Sequence, residues 1–161
     1  MKNKIIDIEK LAERGNEFRA AGKNLVATNG CFDLLHLGHV RYLQAARALG
    51  DALVIGLNGD QSVRELKGPG RPITDEKTRA EMLAALECVD LVTIFPEMRA
   101  THFLEMAAPA IYAKGGDYGS ETLNAEERAI LQKLGAEIRI IPFEEGYSTS
   151  GLLERLRGFA K

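Results

Sequence analysis

NLVATNGCFDLLHLGHVRYLQAARALGDALVIGLN, residues 24–58, reads as a strand, a helix and a second strand. The apolar run NLVATNG (24–30) ends on a glycine, and VRYLQAARALG (40–50) carries apolar residues at helical spacing. Gly50 stands where a helix C′ glycine belongs. ALVIGLN (52–58) is continuously apolar, the pattern of a parallel strand buried on both faces. A strand, a crossover helix and a parallel strand form the repeating unit of an open α/β sheet.

The same alternation extends in both directions. Upstream, Ile8, Leu11, Ala12, Phe18 and Ala21 mark an amphipathic helix over 7–22 that stops near Gly22. Downstream, DEKTRAEMLAALECV (75–89) predicts a helix capped by Thr74 or Asp75. DLVTIF (90–95), AIYAK (110–114) and EIRIIP (137–142) predict strands, with helices over 97–107, 123–134 and about 149–158. Five apolar runs alternating with helices predict an α/β fold: one doubly wound domain over 1–161 with a five-stranded parallel sheet, residues 1–22 packed on it as a helix. The interruption ELKGPGRPITD (65–75) is the one long glycine- and proline-rich loop, and such loops in compact domains are usually functional.

Composition narrows the classes of function. A chain of 161 residues buries a core without disulfides or metal. With 27% charged residues and a net charge of -2, it gives no reason to expect a nucleic acid or an anionic membrane as partner. Cys31 and Cys88 form neither a metal pattern nor a disulfide framework, which fits a reducing compartment. The N-terminal segment turns charged too soon for a signal peptide, and no apolar run is long enough to span a bilayer. A cytoplasmic location is expected.

In open parallel sheets ligands bind beyond the carboxyl ends of the strands, where strand order reverses. The connection NGCFDLLHLGH (29–39) lies at such an end. Gly30 allows close approach of a ligand to the backbone. His39 falls in the first helical turn, His36 just before it, and Gly38 between them removes a side chain that would block a phosphate. Free backbone N–H groups and the helix dipole favour an anion there, and two imidazoles add hydrogen-bond donors to oxygens whose charge changes during reaction.

The pair His-x-x-His also suits zinc, but a structural site needs four protein ligands and a catalytic site three. His102 reads as a surface or packing residue, and Cys31 lies too close in sequence to complete the set without strain. Cys31 shares the anion site, yet no Cys–His–Asn arrangement marks it as a nucleophile. Cys88 reads as core.

The extended pattern, strand then G-C-F-D-L-L-H-L-G-H (30–39) then helix, resembles the signature of the cytidylyltransferase-like nucleotidyltransferase superfamily. The closer resemblance is to the adenylyltransferase domain of ADP-heptose synthases. It rests on TNGCFDLLHLGH (28–39), LKGPGRPI (66–73), ALECVD (85–90), KGGDY (114–118) and FEEGYSTS (143–150), in family order over nearly the whole chain. The family often reads S-T-T where this chain has S-T-S, and a hydroxyl is kept. The 161 residues hold no counterpart of the sugar kinase domain often fused upstream in that family, and if the pathway is the same a separate kinase is expected.

That resemblance implies a Rossmann-like fold and transfer of AMP from ATP to heptose 1-phosphate, giving ADP-heptose for lipopolysaccharide core synthesis. His36 and His39 then contact the nucleotide phosphates, with Lys114 as a third catalytic group. Asn29, Gly30, Cys31, Phe32, Gly38, Gly116, Asp117, Gly146, Tyr147, Ser148, Thr149 and Ser150 are the expected nucleotide contacts. Asn58, Lys67 and Arg71 are expected at the sugar phosphate. Asp117 faces sugar hydroxyls or ribose. Adenine is expected to meet mostly backbone groups near Gly146–Ser148 and in KGGDY. Mg²⁺ accompanies ATP, held mainly by phosphate oxygens, and no protein ligand to it is named. A homodimer is an allowed assembly.

The residues support such a reaction independently. A sugar 1-phosphate already carries an ionised oxygen near neutral pH, since its second pKa is about 6. It needs positioning and charge neutralisation rather than a general base. Lys67, Arg71 and Lys114 sit in glycine-rich segments able to bring cations to phosphates; Arg64 and Arg79 are weaker candidates, because helix-borne arginines are commonly just solvated. A CTP-dependent transferase acting on an alcohol phosphate such as glycerol 3-phosphate, and a non-catalytic nucleotide-binding module, are the alternatives.

Overall fold

The computed structural model describes residues 3–116, 123–142, 144 and 146–159. Its order is α1 (Ile8–Ala20), β1 (Leu25–Gly30), α2 (Leu37–Arg47), β2 (Ala52–Asn58), α3 (Asp60–Lys67) and α4 (Glu76–Ala84). β3 (Leu91–Phe95), α5 (Thr101–Ala107), β4 (Ile111–Gly115), α6 (Ala125–Leu134), β5 (Glu137–Ile141) and α7 (Thr149–Phe159) follow. The five strands form one parallel sheet in the order β3-β2-β1-β4-β5, as the alternation predicted.

The chain winds from β1 outward to β3, then returns to the other side of β1 for β4 and β5. Strand order therefore reverses between β1 and β4. Helices cover both faces. Leu11 of α1, Phe103 and Leu104 of α5 and Leu131 of α6 pack on one side of the sheet. Leu43 and Ala46 of α2 with Ala80 and Leu83 of α4 pack on the other. β2 is buried along its full length, as its unbroken apolar sequence requires. Residues 4–6 lie along the outer side of β3, where the Val92 amide donates to the Lys4 carbonyl (2.8 Å) and the Ile6 amide to the Val92 carbonyl (3.0 Å). Those bonds shield the sheet edge.

Four boundaries differ from expectation. α5 begins at Thr101 instead of 97, the Ala100 amide before it being taken by Glu127 Oε1 (3.0 Å). α3 was read partly as loop because DQSVRELK offers a single buried apolar residue, Val63, and so no apolar stripe. It stops at Gly68, whose φ of 90° suits glycine. α2 begins at Leu37 because His36 caps it, and ends at Arg47. α4 ends at Ala84 instead of running to residue 89: the Asp90 carboxylate takes the Leu53 amide (2.8 Å) and Arg47 Nε (2.8 Å), so the chain turns out of the helix to reach β3. Asp75 is the α4 cap, accepting from the Lys77 and Thr78 amides.

α5 comes close to the sheet because Gly56 in β2 has no side chain. A Cβ there would lie 2.8 Å from the Phe103 ring, which is buried and stacked on Phe95. Alanine is better than glycine in a strand on entropy alone, but overpacking of a closed core costs about 1–3 kcal/mol. Gly56→Ala should therefore destabilise the protein, read as a lower urea midpoint with an unchanged m-value. A midpoint equal to or above the wild type would show that α5 can retreat freely.

Candidate active site

A cavity of about 720 Å³ opens over the carboxyl ends of the central strands, a size suited to a nucleotide-sized ligand. Of the residues expected at the site, all but Gly116, Asp117 and Gly146 line it. Gly116 is buried, its amide donating to the Ile141 carbonyl (3.0 Å); Gly146 sits in the turn before α7 at φ 83°. Asp117 lies outside the described residues.

β1 delivers the chain to the cavity and α2 leaves from it. His36 is the α2 N-cap: its Nδ1 accepts from the His39 amide at 3.3 Å. A neutral His36 that accepts at Nδ1 carries its proton on Nε2, so the free ring nitrogen is a donor. The His36 and His39 rings stack with centroids 3.8 Å apart and planes at 19°, and Phe32 meets His39 edge-on at 5.3 Å. Burial, then the neighbouring His36, push the His39 imidazole down to about 4, and burial lowers His36 as well. Both rings are neutral at neutral pH, and His36 presents its Nε2–H as a donor.

The glycines serve packing more than ligand access. A Cβ on Gly38 would lie 3.0 Å from the Tyr147 Cβ and 3.1 Å from the His36 ring. A Cβ on Gly30 would lie 3.0 Å from the Phe32 ring. Gly38 thus lets the α2 start abut the segment before α7. There Ser148 Oγ accepts from the Gly151 amide at 3.0 Å, capping α7, while Thr149 and Ser150 face the cavity. Arg41 of α2 pairs with Glu144 across the same gap. Two helix N-termini thus flank one cavity, and each is an anion site.

The cations approach from other sides. Lys67 ends α3 at the rim. Arg71 lines the cavity but is not free, since its Nε pairs with the buried Asp33 carboxylate. Asp33 also accepts from the Ile73 amide (2.7 Å) and Thr74 amide (3.2 Å), and Thr74 Oγ1 donates to its carbonyl (2.5 Å). Burial pushes the Asp33 carboxyl up, but the Arg71 hydrogen bond and these amides outweigh it and hold it below the usual carboxylate range. Asn58 is buried, its Nδ2 donating to Ser62 Oγ (3.3 Å). Lys114 Nζ donates to the Tyr112 hydroxyl at 3.4 Å, and burial lowers its pKa against the upward pull of Glu127. Burial raises the Cys31 thiol, which is therefore protonated and a poor nucleophile. Among the described residues no group of three His, Cys, Asp or Glu side chains is placed to hold a metal.

The family model described as cytidylyltransferase-like matches residues 27–155, most of the chain and all of this cavity's frame. The chain belongs to the cytidylyltransferase-like family. It is thereby a nucleotidyltransferase. Similar curated proteins include "Bifunctional protein HldE" of Trichlorobacter lovleyi, 46% identical over 96% of this chain. The same protein of Syntrophotalea carbinolica is 48% identical over 86%. The chain spans 31% of the first relative's length and 28% of the second's. A solved lipopolysaccharide core biosynthesis protein from Thermoplasma volcanium superposes with a TM-score of 0.63 at 29% identity, covering 79% of this chain and 100% of that one. Pantoate-beta-alanine ligase from Francisella tularensis shares the fold, with a TM-score of 0.59 at 14% identity over 91% of this chain and 69% of its own.

Within this cytidylyltransferase-like fold, the sequence reading missed four residues. Arg79, read as solvated, is 1% exposed. It donates to the carbonyls of Cys31 (2.6 Å), Asn58 (2.9 Å) and Thr74 (3.0 Å) and to Asp60 Oδ1 (2.7 Å). Its acceptors come from four segments, so no local pattern shows them. Asp33 stood inside the quoted motif without a role. Tyr112 and Glu127 are buried: the Tyr112 hydroxyl donates to Asn29 Oδ1, and Glu127 Oε1 accepts the Ala100 amide at 3.0 Å while lining the cavity. Arg64 is exposed, as expected.

Arg79→Met should lower stability by roughly 3–5 kcal/mol in urea unfolding, because it strips the donor from three carbonyls and the charge from Asp60. Arg79→Lys should rescue little, since an ammonium cannot span four separated acceptors. A loss under about 1 kcal/mol for Arg79→Met would contradict this clamp.

Proposed function

We propose that the chain transfers AMP from ATP to a sugar 1-phosphate, heptose 1-phosphate, giving ADP-heptose and pyrophosphate. The observation that carries the proposal is one cavity flanked by two helix N-termini and lined by four cations, Lys67, Arg71, Arg99 and Lys114, with two stacked neutral imidazoles and, among the described residues, no activated nucleophile. Such a set neutralises and orients phosphates; it does not perform covalent catalysis. The motifs shared with ADP-heptose synthases and the relatives named HldE support the sugar and the base. The lipopolysaccharide core biosynthesis protein supports the pathway. The chain matches about a third of those HldE proteins, and the proposal concerns that third alone.

The chemistry is a single displacement. An ionised oxygen of the sugar phosphate attacks the α-phosphorus, the bond to the bridging oxygen breaks, and pyrophosphate leaves with the electron pair. Neutral His36 and His39 hydrogen-bond the oxygens that gain charge as the phosphorus becomes five-coordinate. Backbone amides at the α2 and α7 N-termini hold the triphosphate, with the Thr149 and Ser150 hydroxyls beside them. Lys114 reaches the nucleotide from β4, while Lys67 and Arg71 draw in the sugar phosphate. Asp33 holds Arg71 in place. When bound, Mg²⁺ would be held mainly by the triphosphate oxygens and would supply charge neutralisation there.

The family description favours a second reading, with CTP and an alcohol phosphate as substrates. A pyrophosphate-release screen of sugar 1-phosphates and glycerol 3-phosphate against the four nucleoside triphosphates separates the two. ATP with heptose 1-phosphate should give the highest kcat/KM. Clear preference for CTP would overturn the assignment, and no turnover with any pair would favour a binding module. His36→Ala and His39→Ala should each lower kcat by roughly 10²–10³ with far smaller effects on ATP affinity, because backbone N–H groups remain. Near-normal turnover in both would remove the imidazoles from the reaction.

A further inference from the structure

We propose that Tyr112 is a positioning residue that locks the Asn29 amide with its NH₂ group toward the cavity, where Asn29 donates to a phosphate oxygen of the bound nucleoside triphosphate. The inference rests on the function proposed above and names a determinant of that site.

Sheet geometry brings the residues together. Tyr112 of β4 is in register with Ala27 of β1. Side chains two apart share a face, so Asn29 stands beyond Ala27 on the face of Tyr112, and Lys114 stands beyond Tyr112. The Tyr112 hydroxyl donates to Asn29 Oδ1, and Lys114 Nζ donates to the Tyr112 hydroxyl at 3.4 Å. Asn29 and Lys114 line the cavity; Tyr112 is 0% exposed and touches no ligand itself.

The donor inventory fixes the direction of this chain. A lysine ammonium has three donors and no acceptor, so Lys114 occupies a lone pair of the Tyr112 oxygen. The hydroxyl proton is then available to Asn29. Turning the amide over would set the Asn29 NH₂ against the hydroxyl and leave that buried proton without an acceptor, which is unfavourable. Asn29 therefore keeps its carbonyl on Tyr112 and turns its NH₂ group, a pure donor, toward a ligand. A donor there suits an anionic oxygen. It lies at the carboxyl end of the central strand, beside the reversal of strand order where the phosphates are placed.

Four variants test this by ATP affinity, measured calorimetrically without acceptor, and by pyrophosphate release. Asn29→Ala should weaken ATP binding roughly tenfold or more, as the loss of a hydrogen bond to a charged oxygen does. Asn29→Asp should bind ATP more weakly than Asn29→Ala, since it keeps the Tyr112 bond and turns a carboxylate on the phosphate. Tyr112→Phe should weaken ATP several-fold, and the double variant Asn29→Ala with Tyr112→Phe should match Asn29→Ala alone. A structural role for Tyr112 would give additive losses instead, and additivity overturns the proposal. Where Tyr112→Phe does not fold, the order of Asn29→Asp and Asn29→Ala decides, and an Asn29→Asp that binds like the wild type overturns it. A wild type that binds ATP but serves no sugar phosphate sinks the proposed function and leaves this inference standing. A wild type that binds no nucleoside triphosphate overturns both.

Discussion

Arg79 gives the site its floor. One guanidinium, withdrawn from water, joins the carbonyls at the ends of β1 and β2 to the start of α3 and the loop before α4. A buried charge is tolerable only where its donors are used and an opposite charge is near, and here three carbonyls and the Asp60 carboxylate provide both. Asp33 is the counterpart on the rim: it binds Arg71 and two amides of the same loop. The long connection from α3 to α4 is thereby held against the sheet rather than left to wander. Lys67, just before this connection, and Arg71, within it, stand beside the cavity.

Electrostatics then follow from burial. His36 is drawn down by desolvation, and His39 by desolvation and then by His36, so the cradle carries no fixed imidazolium charge. Positive potential comes from the dipoles of α2 and α7 and from the lysines. A neutral donor that strengthens its bond as charge develops discriminates the transition state from bound ATP better than a permanent cation would. Lys114 is the exception, a half-buried ammonium whose charge is supported by Glu127.

What the sequence showed depended on how local the cause was. The parallel order of five strands followed from apolar runs alternating with helices, and the histidine pair followed from a strand, a glycine and a helix start within a few residues. Asp75 as a cap was legible for the same reason. The meaning of Gly38 was not, because the neighbour that needs its missing side chain is Tyr147, across the fold. Arg79 was read as solvated because its helix shows only its own period, while its partners lie on other segments. Arg71 was expected at the sugar phosphate, with no partner named; its tie to Asp33 emerges only once the loop has folded back. Helix α3 escaped notice because one buried valine cannot make a stripe.

Whether ATP phosphates meet two neutral imidazoles at the α2 N-terminus is read most directly by histidine nitrogen NMR. At neutral pH the account predicts His36 as the neutral Nε2–H tautomer and His39 as uncharged, with both Nε2 signals moving when Mg²⁺ and ATP are added. Imidazolium signals from either ring at neutral pH, or signals from both that ignore ATP, would contradict it.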